Sequence, residues 1–301
     1  MAARLRELLA RKDDILVCPG VYDGLTARIA LRDGFECLYM TGAGTSMSRL
    51  GMPDLGLVTM NDMHTNASML ASLDRRIPVI ADADTGFGGP LMIARTVKSY
   101  ISAGVAGLHL EDQEVATKRC GHLLGKEVVS PDAFATRIRA AVLARDEMRA
   151  VLGDVAGDIV LIARTDALQV NGFDEAVARL RLAVEAGADV AFLEGVTSIE
   201  EGGRVCAALA PTPVLLNLVP GGVTPLVTVD QARNAGFRLV IYPALMLSAV
   251  YESCSAVSRE LKTTGAITAN GGPKELFKVC GLDECLEFDI KAGGTSFSGG
   301  V

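Results

Sequence analysis

The sequence predicts an α/β fold, specifically a (β/α)8 TIM-type barrel, on three observations. Eight short apolar runs without polar alternation recur along the chain, and such runs read as strands buried on both faces, as a parallel sheet requires. Each is followed by a longer stretch with helical spacing, several closed by glycine, the residue that most readily takes a left-handed cap. Polar or charged residues sit where the runs end, at the C-terminal rim where barrels of this kind carry their chemistry. An open, doubly wound sheet is the competing architecture. No Gly-x-Gly-x-x-Gly follows the first strand, which argues against a dinucleotide domain.

Taken in order, the strand–helix units are as follows. Met1 to Leu9 reads as a short amphipathic helix. Ile15 to Cys18 is the first strand, with a helix from Tyr22 to Arg32 stopped at Gly34. Cys37 to Met40 is the second strand, followed by Gly-rich Thr41 to Gly44, a loop to Leu57 and a helix over Asn61 to Leu73. The third strand ends in Asp82-Ala83-Asp84-Thr85-Gly86-Phe87-Gly88, and its helix runs from Pro90 to Ala103. Gly107 to Glu111 is the fourth strand; a long polar connection, Asp112 to Val129, precedes a helix from Ser130 to Val151. Ile159 to Arg164, Val190 to Glu194, Val214 to Asn217 and Leu239 to Tyr242 complete the set. Their helices are predicted at Asp174–Ala186, Ile199–Leu209, Val229–Ala235 and Ala244–Thr263, with one more short helix near Glu275 to Cys280 after the break at Gly271-Gly272-Pro273.

No linker, repeat or charge run divides the chain, so 1–301 is expected to be a single barrel domain with a C-terminal helical extension and a loose tail from Gly293 to Val301. Half the residues are hydrophobic, ample for a core of this size. The net charge of −7 speaks against a nucleic-acid surface. No apolar run reaches membrane-spanning length, and the N-terminal segment lacks the apolar core and cleavage site of a signal peptide. The seven cysteines are scattered and include no Cys-x-x-Cys pair, which fits reduced thiols rather than zinc ligands or a disulfide frame. A cytoplasmic protein is the expectation, with an organelle left open.

Asp82 and Asp84 are two apart, so along a strand they face the same side. Two carboxylates that close repel unless protonated, hydrogen-bonded or bridged by a cation. With no Cys or His beside them, the fitting cation is a hard one, Mg²⁺ or Mn²⁺; a helix cap followed by a solvated loop is the bland alternative. The other strand ends carry Tyr39 and Thr41, Glu111 and Asp112, Arg164, Glu194 and Asn217. Four carboxylates (Asp82, Asp84, Glu111, Glu194) against one arginine form an excess of negative charge that a cation would relieve. The second informative stretch is Thr117-Lys118-Arg119-Cys120-Gly121-His122, in a connection long enough to be a lid. Its positive neighbours favour the thiolate of Cys120, which could serve as nucleophile or proton donor; a basic surface loop is the alternative. The remaining cysteines read as core, His64 as a packing or surface residue, and His109 as a hydrogen-bonded core histidine.

These stretches together resemble the isocitrate lyase/phosphoenolpyruvate mutase superfamily over nearly the whole chain. The resemblance rests on Pro19-Gly20-Val21-Tyr22-Asp23, Tyr39-Met40-Thr41-Gly42-Ala43-Gly44, the Asp82–Gly88 stretch, Glu111-Asp112-Gln113, Lys118-Arg119-Cys120-Gly121-His122 and Ala163-Arg164-Thr165-Asp166. The Lys-Arg-Cys-Gly-His loop marks the carbon–carbon lyase branch. Within it the likeness runs to the dimethylmalate lyases, with methylisocitrate lyases, the petal death protein and oxaloacetate hydrolases as relatives. The resemblance implies that Asp82 ligates Mg²⁺ directly while Asp54, Asp84 and Glu111 hold its waters. It implies that Cys120, Tyr39, Arg164, Lys118 and His122 are catalytic. Thr41, Gly42, Ala43, Arg119, Gly121, Glu194, Asn217 and Thr224 would bind the substrate, a small di- or tricarboxylate. It also implies a last helix swapped between subunits and a homotetramer built as a dimer of dimers.

The expected reaction is Mg²⁺-dependent cleavage of the C2–C3 bond of a 2-hydroxy, alkyl-substituted dicarboxylate such as 2,3-dimethylmalate or 2-methylisocitrate, giving pyruvate and a carboxylic acid. Tyr39 and a metal-linked carboxylate both remain open as the base. Hydrolysis of oxaloacetate to oxalate and acetate is the alternative on the same site, and an inactive barrel with a binding role is the alternative from another class. The insertions of the longer isocitrate lyases are lacking, so isocitrate is not the expected substrate. Oxaloacetate hydrolases of the family tend to carry Ser where this chain has Pro243, which favours the lyase. No lysine stands at a predicted strand end, which disfavours a Schiff-base aldolase. Pro243, Leu245, Met246 and Phe87 are the candidates for the apolar wall that sets alkyl specificity.

Overall fold

A computed structural model describes residues 1–11, 14–268, 271–295 and 297. Its eight strands are β1 (Leu16–Val21), β2 (Leu38–Met40), β3 (Val79–Asp82), β4 (Gly107–Glu111), β5 (Val160–Thr165), β6 (Val190–Leu193), β7 (Val214–Asn217) and β8 (Leu239–Tyr242). All pair in parallel in chain order, and β8 returns to β1 through Leu16↔Leu239 to Pro19↔Tyr242, closing the barrel. The helices are α1 (Ala2–Leu9), α2 (Gly24–Arg32), α3 (Gly42–Leu50), α4 (Met60–Leu73), α5 (Pro90–Ala103), α6 (Pro131–Leu152) and α7 (Ala167–Asn171). They continue with α8 (Phe173–Glu185), α9 (Ile199–Leu209), α10 (Val229–Asn234), α11 (Leu245–Thr264), α12 (Pro273–Val279) and α13 (Leu282–Lys291).

The unbroken apolar runs have the cause expected of them. Along β3, Val79 and Ala81 pack outward with Met63 and Leu70 of α4 and Val97 and Tyr100 of α5. Ile80 points inward, into a core with Tyr39, Ile162, Phe192, Leu215 and Ile241. That inner core fills the barrel, as side chains do in closed eight-stranded sheets. The N-terminal helix belongs to it: Leu5 and Leu8 of α1 are buried in the same cluster, and Arg6 pairs with Asp158 and Asp189. The first helix is amphipathic as expected, and its apolar face plugs the barrel.

Three helices were not expected from the pattern. Helix α3 begins in the Gly-rich segment, because Thr41 caps it by accepting from the Gly44 amide at 3.2 Å. Helix α7 is a single turn after β5. Helix α13 follows Gly281, whose φ of 90° resets the chain direction after α12. Helix α5, by contrast, ends where its glycine predicted, Gly104 taking φ 84°. Of the tail from 293 to 301, Ser296 and the residues from Ser298 onward lie outside the described residues. All seven cysteines are free thiols, but only Cys18, Cys37 and Cys206 are core; Cys254, Cys280 and Cys285, expected to be buried, are exposed on this chain. No helix among the described residues is long and apolar enough to cross a membrane.

Candidate active site

The C-terminal ends of the strands surround a small pocket of about 90 Å³. Tyr39, Thr41 and Ala43 reach it from the β2–α3 junction, Asp54 from the loop after α3, and Asp82 from β3. Cys120, Gly121 and His122 cover it, and Arg164, Glu194 and Asn217 come from β5, β6 and β7. Thus most of the residues singled out in the sequence meet in one place. Thr224 is buried with an unpartnered hydroxyl but does not line this pocket. Arg119 points along its own loop, donating to the carbonyls of Thr117 and Leu124 at 3.2 and 3.1 Å, also off the pocket.

Strand alternation places Asp82 but not Asp84. β3 ends at Asp82, and Asp84 takes a left-handed φ of 46°. The turn folds the Asp84 amide back onto Asp82 Oδ1 at 2.8 Å. Asp82 Oδ2 accepts from the Gly42 amide at 3.2 Å. A Cβ at residue 42 would lie 2.4 Å from that oxygen, so the close approach requires glycine. The Thr41 amide is given to the Val21 carbonyl. Of Thr41, Gly42 and Ala43, the residues expected to bind the substrate, Ala43 alone keeps a backbone amide without a protein partner among the described residues.

Lys118 does not turn toward Cys120. Its buried ammonium pairs with Asp54 and Asp84. Burial opposes its charge, yet Asp84, Glu111 and Asp54 outweigh that and hold its pKa well above the ordinary lysine value. Burial is also the main force on the acids: Asp82 is raised, Asp84 is pushed up to about 6, and Glu111 stands well above the usual carboxylate range, against the pull of Lys118 and Arg164.

Arg164 is the most heavily engaged cation. It forms a bidentate pair with Asp166 at 2.9 and 3.0 Å, reaches Glu111 and Glu194 at 3.3 Å each, and lies 5.2 Å from the Phe192 ring centre. Glu194 accepts from the Asn217 amide at 3.1 Å, and Asn217 in turn lies 3.4 Å from His122 Nε2. Asp166 also pairs with Lys126 at 2.8 Å. Burial disfavours its charge, but Arg164 and Lys126 overcome that and lower its pKa to about 2.

Lys126 also fixes the loop, since its ammonium donates to the Gly121 carbonyl at 2.7 Å. Gln113 clamps the Arg119 backbone in both directions. The Cys120 amide donates to the Asp54 carbonyl at 3.0 Å, and a Gln113–Val128 bridge closes the base of the connection. The segment expected to be a structureless lid is therefore pinned shut over the pocket.

The expectation of a thiolate at Cys120 is overturned. Lys118 and Arg119 are committed elsewhere, and burial pushes the thiol up to about 11, with a hydrogen bond from the His122 backbone and Arg164 opposing the rise and Asp54 and Glu194 adding to it. The group is a protonated thiol. Tyr39 is likewise held as a phenol, raised well above its ordinary value by burial and by Asp82. Its hydroxyl lies 2.9 Å from His109 Nε2. Burial lowers the His109 pKa to about 3, so the ring is neutral and its 3.6 Å approach to Asp82 is not an ion pair. His109 is thus the hydrogen-bonded core residue that the sequence suggested.

Around the site, Asp54, Asp82, Asp84, Glu111, Asp166 and Glu194 face three cations, Lys118, Lys126 and Arg164. The sequence count of four acids against one arginine changes because the loop brings in two lysines, but an acid excess remains. Glu111 Oε1 is buried without a partner. An all-oxygen, acid-rich set suits a hard divalent cation. No three His, Cys, Asp or Glu side chains among the described residues converge into a ready coordination sphere.

Lys126 carried no sequence signal that would single it out within a polar connection. Asp166 stood in a recognised motif, yet its role became visible only once Arg164 and Lys126 were seen to share it. The apolar wall was misplaced for Phe87, Leu245 and Met246. The wall residues are Phe192, Val219, Pro243, Ala244 and Leu247, whereas Leu245, two residues earlier on α11, is exposed.

Comparison with known proteins agrees with this geometry. A family model described as phosphoenolpyruvate phosphomutase matches residues 5–262. The chain is 44% identical over 261 residues to a 2-methylisocitrate lyase of Aeropyrum pernix, covering 87% of this chain and 80% of that one. It is 39% identical over 292 residues to a 2,3-dimethylmalate lyase of Eubacterium barkeri, covering 96% of each. A solved oxaloacetate acetylhydrolase in complex with 3,3-difluorooxalacetate superposes with a TM-score of 0.94 at 51% identity, covering 98% of each chain. The chain belongs to the phosphoenolpyruvate mutase/isocitrate lyase superfamily and is a carbon–carbon-cleaving enzyme.

Proposed function

We propose that the enzyme is a lyase that cleaves the C2–C3 bond of a 2-hydroxy dicarboxylate bearing alkyl substituents, releasing pyruvate and a carboxylic acid. The observation that carries this reading is Cys120. A half-buried thiol, held protonated on a closed loop over the pocket, is equipped to deliver a proton to the carbanion left when a carbon–carbon bond breaks. The names of the curated relatives, 2-methylisocitrate lyase and 2,3-dimethylmalate lyase, support the same chemistry.

Asp82, with Asp54, Asp84 and Glu111 around it, would hold a Mg²⁺ ion. The chemistry such an ion supplies is charge neutralisation and acidification of the 2-hydroxyl. The protein's own part begins at the α3 N-terminus, where the Ala43 amide can meet a substrate carboxylate. Arg164, held flat by Asp166 and Phe192, presents fixed positive charge toward the pocket, where charge develops. Burial and Asp82 hold the Tyr39 phenol well above its ordinary range, and its hydroxyl is hydrogen-bonded to His109, which favours a pocket carboxylate as the proton acceptor. Cys120 gives its proton to the departing carbon, and the pinned loop keeps water from quenching it first. The exposed apolar side chains of α11 to α13, among them Tyr251, Phe277 and Phe288, support a homotetramer with exchanged C-terminal helices. The free thiols fit a reducing, cytoplasmic setting.

Product analysis tests the reading. The purified protein with Mg²⁺ should release pyruvate from 2,3-dimethylmalate, and a chelator should abolish it. A second reading is favoured by the superposition with oxaloacetate acetylhydrolase. If oxaloacetate gives oxalate and acetate and no 2-hydroxy acid gives pyruvate, the hydrolase reading replaces the lyase.

A further inference from the structure

Resting on the reading of Cys120 as the proton donor, we infer that Arg137, on the outer helix α6, is a positioning residue for that thiol and acts on it through Gln113. The first observation is a buried cation aimed at main chain. Arg137 is buried, and its Nη1 donates to the carbonyls of Glu111 at 2.8 Å and Gln113 at 2.7 Å. In extended chain, residues two apart repeat the same orientation, so one nitrogen takes both and fixes the path by which the chain leaves β4 for the loop. Burial lowers the Arg137 pKa, against Asp112, Glu114 and Glu111. Burying a guanidinium is costly, and what this one holds is the entry to the loop. Helix α6 is a firm base for it, since Phe134, Ile138 and Ala141 pack in the same core as Leu108 and Leu110 of β4.

The second observation is where Gln113 points. It is fully buried, and its side-chain amide donates to the Arg119 carbonyl at 2.9 Å and accepts from the Arg119 amide at 3.2 Å. Arg119 immediately precedes Cys120. The bonds therefore run from α6, through the main chain and then the side chain of one residue, to the peptide before the thiol. The ends of the connection are anchored separately. Arg179 of α8 pairs with Asp112 at 3.1 Å and donates to the Val129 carbonyl at 2.6 Å, and the Val129 amide donates to the Asp112 carbonyl at 2.8 Å. Cys120 and Gly121 also keep their bonds to Asp54 and Lys126. Loss of Arg137 thus leaves the loop attached and loosens Gln113 with the residue it holds, which shifts the thiol.

In the full-length protein with Mg²⁺, Arg137→Met should lower kcat for pyruvate release from 2,3-dimethylmalate about tenfold or more, with KM within about threefold of the parent, because the thiol moves while the groups that line the pocket stay. Alkylation of Cys120 by iodoacetamide, followed site by site by mass spectrometry, should quicken about tenfold, the factor that one hydrogen bond's net contribution supplies. Cys18 and Cys37 are fully buried in the barrel core. They should react as slowly as in the parent, which separates a shifted loop from global opening. Gln113→Ala should reproduce both changes, and the double variant should be no worse than the more affected single one. Parent-like kcat and Cys120 alkylation in Arg137→Met, losses that multiply in the double variant, or a rise at Cys120 matched at Cys18 and Cys37 would each overturn the inference. Should Arg137→Met fail to fold, Arg137→Gln, which keeps a polar group but stops short of the two carbonyls, is judged by the same readouts. Alkylation needs no substrate: if every 2-hydroxy acid fails to yield pyruvate, the lyase reading falls while the alkylation rates still decide whether Arg137 positions the loop.

Discussion

Replacing Gly121 with alanine separates the position of the loop from the chemistry of its thiol. Gly121 is not in a left-handed conformation, so alanine suffers no backbone strain there. Its Cβ would lie 2.3 Å from Arg164 Nη2 and 2.8 Å from Glu194 Cγ. Neither side chain is free to yield. Arg164 is held bidentately by Asp166, and Glu194 is held by Asn217 and Arg164. Restoring an ordinary carbon contact of about 3.5 Å therefore lifts the loop by roughly 1 Å. Cys120, the adjacent residue, moves with it, and a displacement of that size at a reacting group costs about 100-fold in rate. The expected result is a kcat lowered about 100-fold, with unfolding free energy reduced by no more than about 2 kcal/mol, because the strain is relieved by opening the loop and not by distorting the barrel. Alkylation of Cys120 should accelerate. It must be followed site by site by mass spectrometry, since Cys254, Cys280 and Cys285 are exposed and react as well. Unchanged turnover, or a loss of activity that tracks global unfolding, would refute the argument that the loop rests directly on Arg164 and Glu194.

Three other outcomes are expected. Cys120→Ser should bind product as tightly as the parent by calorimetry yet lose about 10²- to 10⁴-fold in turnover, the usual range for a positioned proton donor; near-normal turnover removes the thiol from the mechanism. Lys126→Met leaves Asp166 with one cation where it had two and frees the Gly121 carbonyl, so denaturant unfolding should show a loss of about 3 kcal/mol, as when a buried ion pair is broken. The Asp166 pKa is about 2 in the folded protein against an ordinary 3.8. Its contribution is fully present above about pH 4 and disappears as the pH falls toward 2; it amounts to roughly 2 kcal/mol. Asp166→Asn should therefore have an acid-unfolding limb shallower by about that amount over this window; equal slopes would show that Asp166 is not held ionised by Arg164 and Lys126.

The barrel was legible in the sequence because burial on both faces of a parallel strand leaves a mark that needs no long-range knowledge: an apolar run, ended by a polar residue and answered by a helix with its cap. The sequence by itself also determined which residues line the rim. Asp82, Glu111, Arg164, Glu194 and Asn217 stand where their strands leave the core, and the closed sheet then brings those ends together. What those residues do to one another was decided only by the tertiary structure. Lys118 and Arg119 surround Cys120 in sequence, yet one folds back to Asp54 and Asp84 and the other to loop carbonyls. The thiol that sequence neighbours would ionise is instead kept neutral by burial. Helix α3 hid behind glycines whose smallness serves the close approach to Asp82, and Lys126 acquired its role only by meeting Asp166, forty residues away. The physical reason is the range of the forces. Secondary structure follows side-chain periodicity within a few residues, whereas the charge state of a buried group depends on which distant partners and how little water surround it in the folded chain.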